Sequence, residues 1–327
     1  MTPLATSKVY YLHPAQNQSL SSMASGTEIQ PPWLTFLTKQ ASIPSGQEFV
    51  PKISNIFIDF LLSDNDDTAA KTAKQIDDST RDSLNFVFQT IYDLAALIPY
   101  EDRKQDMLLQ LIVELLKLPR KAFKGVDGKI VEESPMYHDI NIEVKHDMWN
   151  ARKVDELDLD VKTQEEYTQS CIEWINLSAF YARCIAASVD DHDKNALKFP
   201  DVEICEALNP NHDPIPGIDT DFKVVIATQY IIVAGEKIRE DNVQWWDEHV
   251  PIWERKLEEF ENSYENGFPE VAPRFETPPG EKELIGTGDL GMDVLASVKA
   301  ARKKLKDMRE GVLEKESNED CAEKKDE

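Results

Sequence analysis

Four of the six histidines are each followed by an aspartate: His138-Asp139, His146-Asp147, His192-Asp193 and His212-Asp213. Imidazole nitrogen with carboxylate oxygen is a good donor set for a divalent metal. The pattern points toward a metal-dependent phosphohydrolase, which gathers a His, a His-Asp pair and a later Asp around its ion. In "EVKHDMWNA" one such pair, His146 and Asp147, can sit on a helix. His138, eight residues upstream, stands in a Pro-containing loop and His212 in the turn "NPNHDPIPG". The plainer reading is therefore solvated dipeptides in an acidic chain.

A second pair of interest lies in "CIEWINLSAFYARCIAAS", residues 171–188. On a helix, Gln169, Glu173, Asn176 and Arg183 fall within one band narrower than a quarter turn, and apolar side chains cover the rest of the circumference. Asn176 and Arg183 are the candidate binding residues. A stripe this narrow faces another helix, and a buried guanidinium needs carboxylates or carbonyls. Glu114 and Glu236, each beside an apolar helix face, are the expected partners, in a network that fixes helix register.

Three further motifs lack the context their chemistry requires. "GTGDLG" (Gly286, Gly288, Gly291) matches a dinucleotide-binding pattern, but a Pro-rich stretch stands where a strand must deliver those glycines. It reads as a hinge. "DDSTRD" (Asp77, Asp78, Asp82) resembles the diphosphate-binding acidic motif of all-helical terpene synthases, yet the second metal motif is missing, so it reads as a solvated or capping cluster before a helix from Arg81. The basic face Lys299, Arg302, Lys303, Lys304, Lys306 and Arg309 suits anionic lipid or an acidic partner, but docking on the chain's own acidic body is simpler. No nucleophile elbow, P-loop or zincin motif occurs.

The elements that must position these residues are helical. Apolar positions recur at three and four residues in 49–61, 84–97 and 107–116, with Pro99 and Pro119 as stops. Residues 120–160 are mixed, with a turn or small hairpin at "GVDGKIVEESP". A long helix begins near Gln164, another runs from about Asp219 to Glu240, and a third carries Trp246, Trp253, Leu257 and Phe260, with Pro251 either kinking it or marking its first turn. The run "VVIATQYIIVAG" is too short for a membrane span and reads as a buried core helix.

Composition bounds what these helices can do. The 327 residues carry 61 acidic and 36 basic side chains, a net charge of −25, and such a surface gains nothing from binding polyanions. Nucleic acid is excluded as a partner on that ground. Four cysteines without metal spacing read as free thiols. With no targeting segment evident, an intracellular setting, cytoplasmic or nuclear, is expected.

The blocks "QDMLLQLIVELLKLP" (105–119), "EWINLSAFYAR" (173–183) and "ATQYIIVAGEKI" (227–238), in that order, resemble a family of fungal all-helical proteins known only as a domain of unknown function. The likeness covers about Phe49 to Phe260. It implies a helical fold and supplies no activity, cofactor or catalytic residue.

The expectation is thus an all-α protein, an irregular multi-helix bundle or solenoid-like array of paired helices. A loosely ordered segment at 1–45 precedes a helical domain at 46–265, a Pro/Gly-rich linker at 266–288, and an amphipathic basic helix with an acidic tail at 289–327. Its expected role is non-catalytic binding or scaffolding, without a cofactor, toward a protein or small-molecule partner. The alternative is the phosphohydrolase centred on His146 and Asp147.

Overall fold

The computed structural model describes residues 30–43, 49–63, 68–79, 84–119, 123–124, 130–131, 137–155, 163–189, 197–211, 217–267 and 290–323. Its helices are α1 (Pro32–Ala41), α2 (Phe49–Leu61), α3 (Thr68–Ser79), α4 (Leu84–Leu97), α5 (Arg103–Leu116) and α6 (Tyr137–Asp155). Then come α7 (Gln164–Ala186), α8 (Lys198–Ala207), α9 (Ile218–Gln229), a π-helical turn (Tyr230–Ala234), α10 (Gly235–Asp241), α11 (Val243–Asn266) and α12 (Val294–Glu323). Two-residue strands, β1 (Phe123–Lys124) and β2 (Ile130–Val131), pair antiparallel with Phe123 opposite Val131, as the small hairpin expected there. The protein is all-α.

Helices α4 and α9 flank α7, which also touches α5, the π turn and α10; α8 lies on α9, and α12 on α9 and α11. Ile175 to Ala182 are all buried, so the middle of α7 meets protein on every side. It starts with a reciprocal cap, Thr163 accepting from the Glu166 backbone while Glu166 accepts from the Thr163 N–H. It ends with Ser188 at φ 57° and the Val189 N–H donating to the Cys184 carbonyl at 3.0 Å, a left-handed stop filled without glycine.

Tyrosine hydroxyls fasten the helices to one another. Tyr137 on α6 donates to Asp77 on α3 at 2.5 Å, and Tyr92 on α4 to Asn141 on α6 at 2.7 Å. Tyr167 on α7 donates to Asp219 and Tyr264 on α11 to Asp221, both on α9. Burial first, then the carboxylate each one meets, pushes the phenols of Tyr137, Tyr167 and Tyr264 well above the usual range, so each remains a donor.

Several local expectations are corrected. Asp77 and Asp78 end α3 rather than introduce α4, because Ala69, Thr72, Ala73 and Ile76 make an apolar face for a helix of their own. Residues 137–155, expected to be mixed, form α6, so His138 lies on a helix. The 219–240 helix starts one residue earlier, at Ile218 after Gly217, and contains the π turn. Of the two places open to Pro251 it takes the interior one, inside α11, whose first turn is at Val243. Helix α12 continues to Glu323, through part of the expected tail. The segment 1–45, expected to be loosely ordered, contains α1; residues 1–29, most of the linker, Gly286, Gly288, Asp82, and the His192 and His212 pairs lie outside the described residues.

The basic face of α12 is used within the molecule. Val294, Val298, Ala301 and Leu305 form its buried seam. Beside the seam Lys299 meets Glu265 at 2.6 Å, Arg302 pairs with Glu258 and Glu261, Arg309 meets Glu254 at 3.0 Å, and Lys304 pairs with Glu236. Exposed pairs of this kind contribute little, whereas a buried leucine contributes several kcal/mol. Leu305→Ala should therefore cost about 2–5 kcal/mol in urea unfolding. Lys303→Gln, which loses only an exposed pair with Asp307 on its own helix, should stay within about 0.5 kcal/mol of wild type.

Candidate functional site

Helix α7 carries polar groups on two flanks, and the two are treated differently. On the first, α4 stops at Leu97 before Pro99 and leaves carbonyls inside the protein that water cannot reach. The Ile98 N–H answers Leu94 O at 2.9 Å. Gln105 Nε2, fully buried at the start of α5, donates to Ala95 O and Ile98 O at 2.8 Å each. Asn176 Nδ2 donates to Ala96 O at 2.9 Å, and Asn176 Oδ1 accepts the Tyr100 N–H at 3.0 Å. Arg183 Nη2 donates to Tyr100 O at 2.6 Å, Nη1 to Ala179 O at 3.2 Å, and Nε to Asp106 Oδ1 at 3.2 Å.

Asn176 and Arg183 are thus brought together on one residue, Tyr100, held at its N–H by one and at its carbonyl by the other. The expected partners are not theirs: Glu114 pairs with Lys117 beyond the end of α5 at 2.6 Å, and Glu236 pairs with Lys304. The carboxylate that Arg183 does meet, Asp106, has 65% of its side chain exposed, against 17% for Arg183. Hydration of Asp106 makes the guanidinium's contact with a backbone carbonyl the more consequential one.

The second flank faces α8, α9 and α6. Glu203 on α8 is only 7% exposed. Its Oε1 accepts from Trp174 Nε1 at 2.6 Å and from Ser178 Oγ at 3.2 Å, both on α7. Its Oε2 is buried and makes no close hydrogen bond, and the Tyr230 hydroxyl, at the start of the π turn, and the Trp149 N–H face the carboxyl as further neutral donors. Burial pushes the Glu203 carboxyl up to about 7, against the pull of Tyr230, Trp174, Ser178 and Trp149 toward the ionised form. The same burial, together with Glu203, drives the Tyr230 phenol far above its usual range.

This carboxyl lies at a cleft lined by Trp149, Trp174, Phe222 and Ile226, with Val202, Glu206 and Lys223 nearer solvent. A cavity of about 20 Å³ is left there, room for one group the size of water. Beneath it the Trp149 and Phe199 rings stack at 4.7 Å, and the buried Lys145 holds its ammonium 5.5 Å from the Phe199 ring centre. The π turn adds a residue to the helical repeat and rotates α10 relative to α9, and such turns are frequent at functional sites.

His146 and Asp147 diverge on α6. The His146 ring packs against Phe199 at 4.9 Å between centroids, while Asp147 is exposed. Among the described residues no group of three or more His, Cys, Asp or Glu is arranged to hold a metal. Among the described residues Cys171, Cys184 and Cys205 form no disulfide, and burial, followed by Asp201, raises the Cys205 thiol to about 11.

Sequence reasoning passed over Glu203, Tyr230 and Lys145. A signal was present in "KFPDVEICEAL": Phe199, Pro200, Ile204, Ala207 and Leu208 recur at helical spacing, and Glu203 occupies a position on that apolar face. The two flanks of α7 also lie within the part of the chain that other proteins share. The model of a family described as a protein of unknown function, DUF3632, matches residues 88–277. The chain belongs to that family. The DUF3632 span runs from within α4 through α11 and leaves α1–α3 and α12 outside. No curated protein and no solved structure matches the chain.

Stability separates the two flanks. Asn176→Ala removes the partners of Ala96 O and Tyr100 N at a residue 3% exposed, and should cost about 2–4 kcal/mol in urea unfolding, more than Arg183→Met, whose ion-pair partner is already hydrated. For Glu203, the unfolded chain ionises near 4.5 and the folded chain near 7, so stability falls as pH rises between those values and is level above them. A shift of that size is about 3 kcal/mol. Glu203→Gln should therefore melt above wild type at pH 8, by an excess that shrinks toward zero as pH falls to about 4.5.

Proposed function

We propose that this protein is a non-catalytic binding protein, working inside the cell, in the cytoplasm or nucleus, and of fungal origin as the resemblance of its helical blocks implies. Its recognition element is the Glu203 cleft. The observation that supports this reading is the buried Glu203 Oε2, without a close hydrogen bond, beneath walls of tryptophan and phenylalanine. Concave, mostly apolar surfaces with a few fixed polar atoms are how proteins hold small groups, and an unsatisfied buried oxygen is answered by whatever enters.

Asn176 and Arg183 serve this reading at one remove. They are positioning residues that lock the α4–α5 turn onto α7, and α7 presents Trp174 and Ser178 to Glu203 from its other flank. Scaffolding in this protein means holding α7 and α8 in that relation.

The test is a thermal-shift panel of three small-ligand classes, alkylamines, carboxylates and phosphomonoesters, on wild type and on Val202→Phe, which fills the cleft from its rim. A saturable rise in melting temperature with one class, absent in Val202→Phe, is the expected result. No response to any class would overturn the reading. Metal-stimulated phosphomonoester hydrolysis lost in His146→Ala would replace it with the phosphohydrolase.

A further inference from the structure

We infer that the cleft at Glu203 is a site for a primary ammonium group, carried by a small organic amine or by the lysine side chain of a peptide. The inference rests on the binding reading and adds the ligand's chemistry. Three features of the cleft point the same way.

The first is the acceptor. Glu203 Oε1 is spent on Trp174 and Ser178, while Oε2 is buried without a close hydrogen bond, the neutral Tyr230 hydroxyl and Trp149 N–H being the remaining donors that face the carboxyl of this cleft residue. An incoming ammonium adds to these neutral donors the positive charge that compensates the one burial penalises. An anion placed there would face the carboxylate itself. Lys223, the lysine of the lining, holds its ammonium over the Phe222 ring at 5.8 Å.

The second is the wall. Trp149, Trp174 and Phe222 line the cleft with aromatic rings, and a cation over such a ring gains most where it is desolvated. The chain already places cations on aromatic rings here: Lys198 stands 6.0 Å from the Trp149 ring centre, and Lys145 stands 5.5 Å from that of Phe199, which stacks on Trp149. A net charge of −25 raises the local concentration of any cation that approaches.

The third is size. About 20 Å³ admits an –NH₃⁺ terminus, which is close to water in volume, and leaves no space for a quaternary group. A quaternary nitrogen also brings no N–H for Oε2. The ionisable groups around the carboxyl are Lys145 and His146 on α6, Lys198 and Glu206 on α8, Lys223 on α9 and Tyr230 at the π turn; α7 contributes Trp174 and Ser178, which do not titrate.

The probe is n-butylammonium chloride, followed by tryptophan fluorescence and melting temperature, with tetramethylammonium, butyrate and phenyl phosphate as comparisons. Saturable binding of butylammonium to wild type is expected, abolished in Glu203→Gln, a variant expected to fold at least as stably. With the carboxyl titrating near 7 and the amine charged throughout, affinity should fall about tenfold from pH 8 to pH 6. An acetylated lysinamide that binds as butylamine does marks a free amine as sufficient; a lysine-containing peptide that binds at least tenfold tighter marks a peptide as the source. Butylammonium that fails to bind, binds Glu203→Gln equally or binds no better than tetramethylammonium overturns the inference. If butyrate or phenyl phosphate saturates the cleft instead, the cation assignment falls and the binding reading stands; if nothing does, both fall.

Discussion

Polar atoms carried into the middle of α7's surroundings have to be answered by other polar atoms, because from Ile175 to Ala182 no face of that helix meets water. The demand is greatest at the end of α4, whose last carbonyls cannot be satisfied within their own helix. Gln105, Asn176 and Arg183 supply the donors from α5 and α7, and in doing so fix how three helices meet. Asp102, capping α5 through the Lys104 N–H at 2.9 Å, continues the arrangement into the next element.

On that flank the buried side-chain atom left open is a neutral amide oxygen, Gln105 Oε1; on the opposite flank of α7 it belongs to a carboxyl. Glu203 could have been an apolar residue on α8, and its neighbours on that face are apolar. Instead a carboxyl is buried with one oxygen answered twice and the other left open, at a cost in stability that increases with pH. Residues held at such a cost are commonly those that serve binding rather than folding. The tyrosine–aspartate contacts from α9 to α7 and α11 keep the helices around the cleft in place while this penalty is carried.

The helices that read clearly from sequence were those with a sustained apolar period, α2, α4, α5, α7, α11 and the first part of α12, with Pro99 and Pro119 as stops after α4 and α5. Those that did not were short or evenly mixed. In α8 the apolar face was interrupted by Glu203, and in α3 it was built from alanine and threonine with a single isoleucine, so neither gave a strong period. The π turn has no sequence signature. Asn176 and Arg183 were legible as an isolated polar band, but their partners were not, since backbone carbonyls at a helix end carry no residue type to search for. Glu203 was hidden by the habit of assigning a glutamate to solvent in a chain with 61 acidic residues.

The central claim is that Glu203 is a buried carboxyl whose ionisation is held back to neutral pH by its place against α7. Carbon-13 NMR of protein labelled at glutamate Cδ, titrated from pH 4 to pH 9 and assigned with Glu203→Gln, reads that ionisation directly. The account predicts that the signal missing from Glu203→Gln titrates near 7, well above the exposed glutamates. A Glu203 signal that titrates with the others, near 4.5, would contradict it.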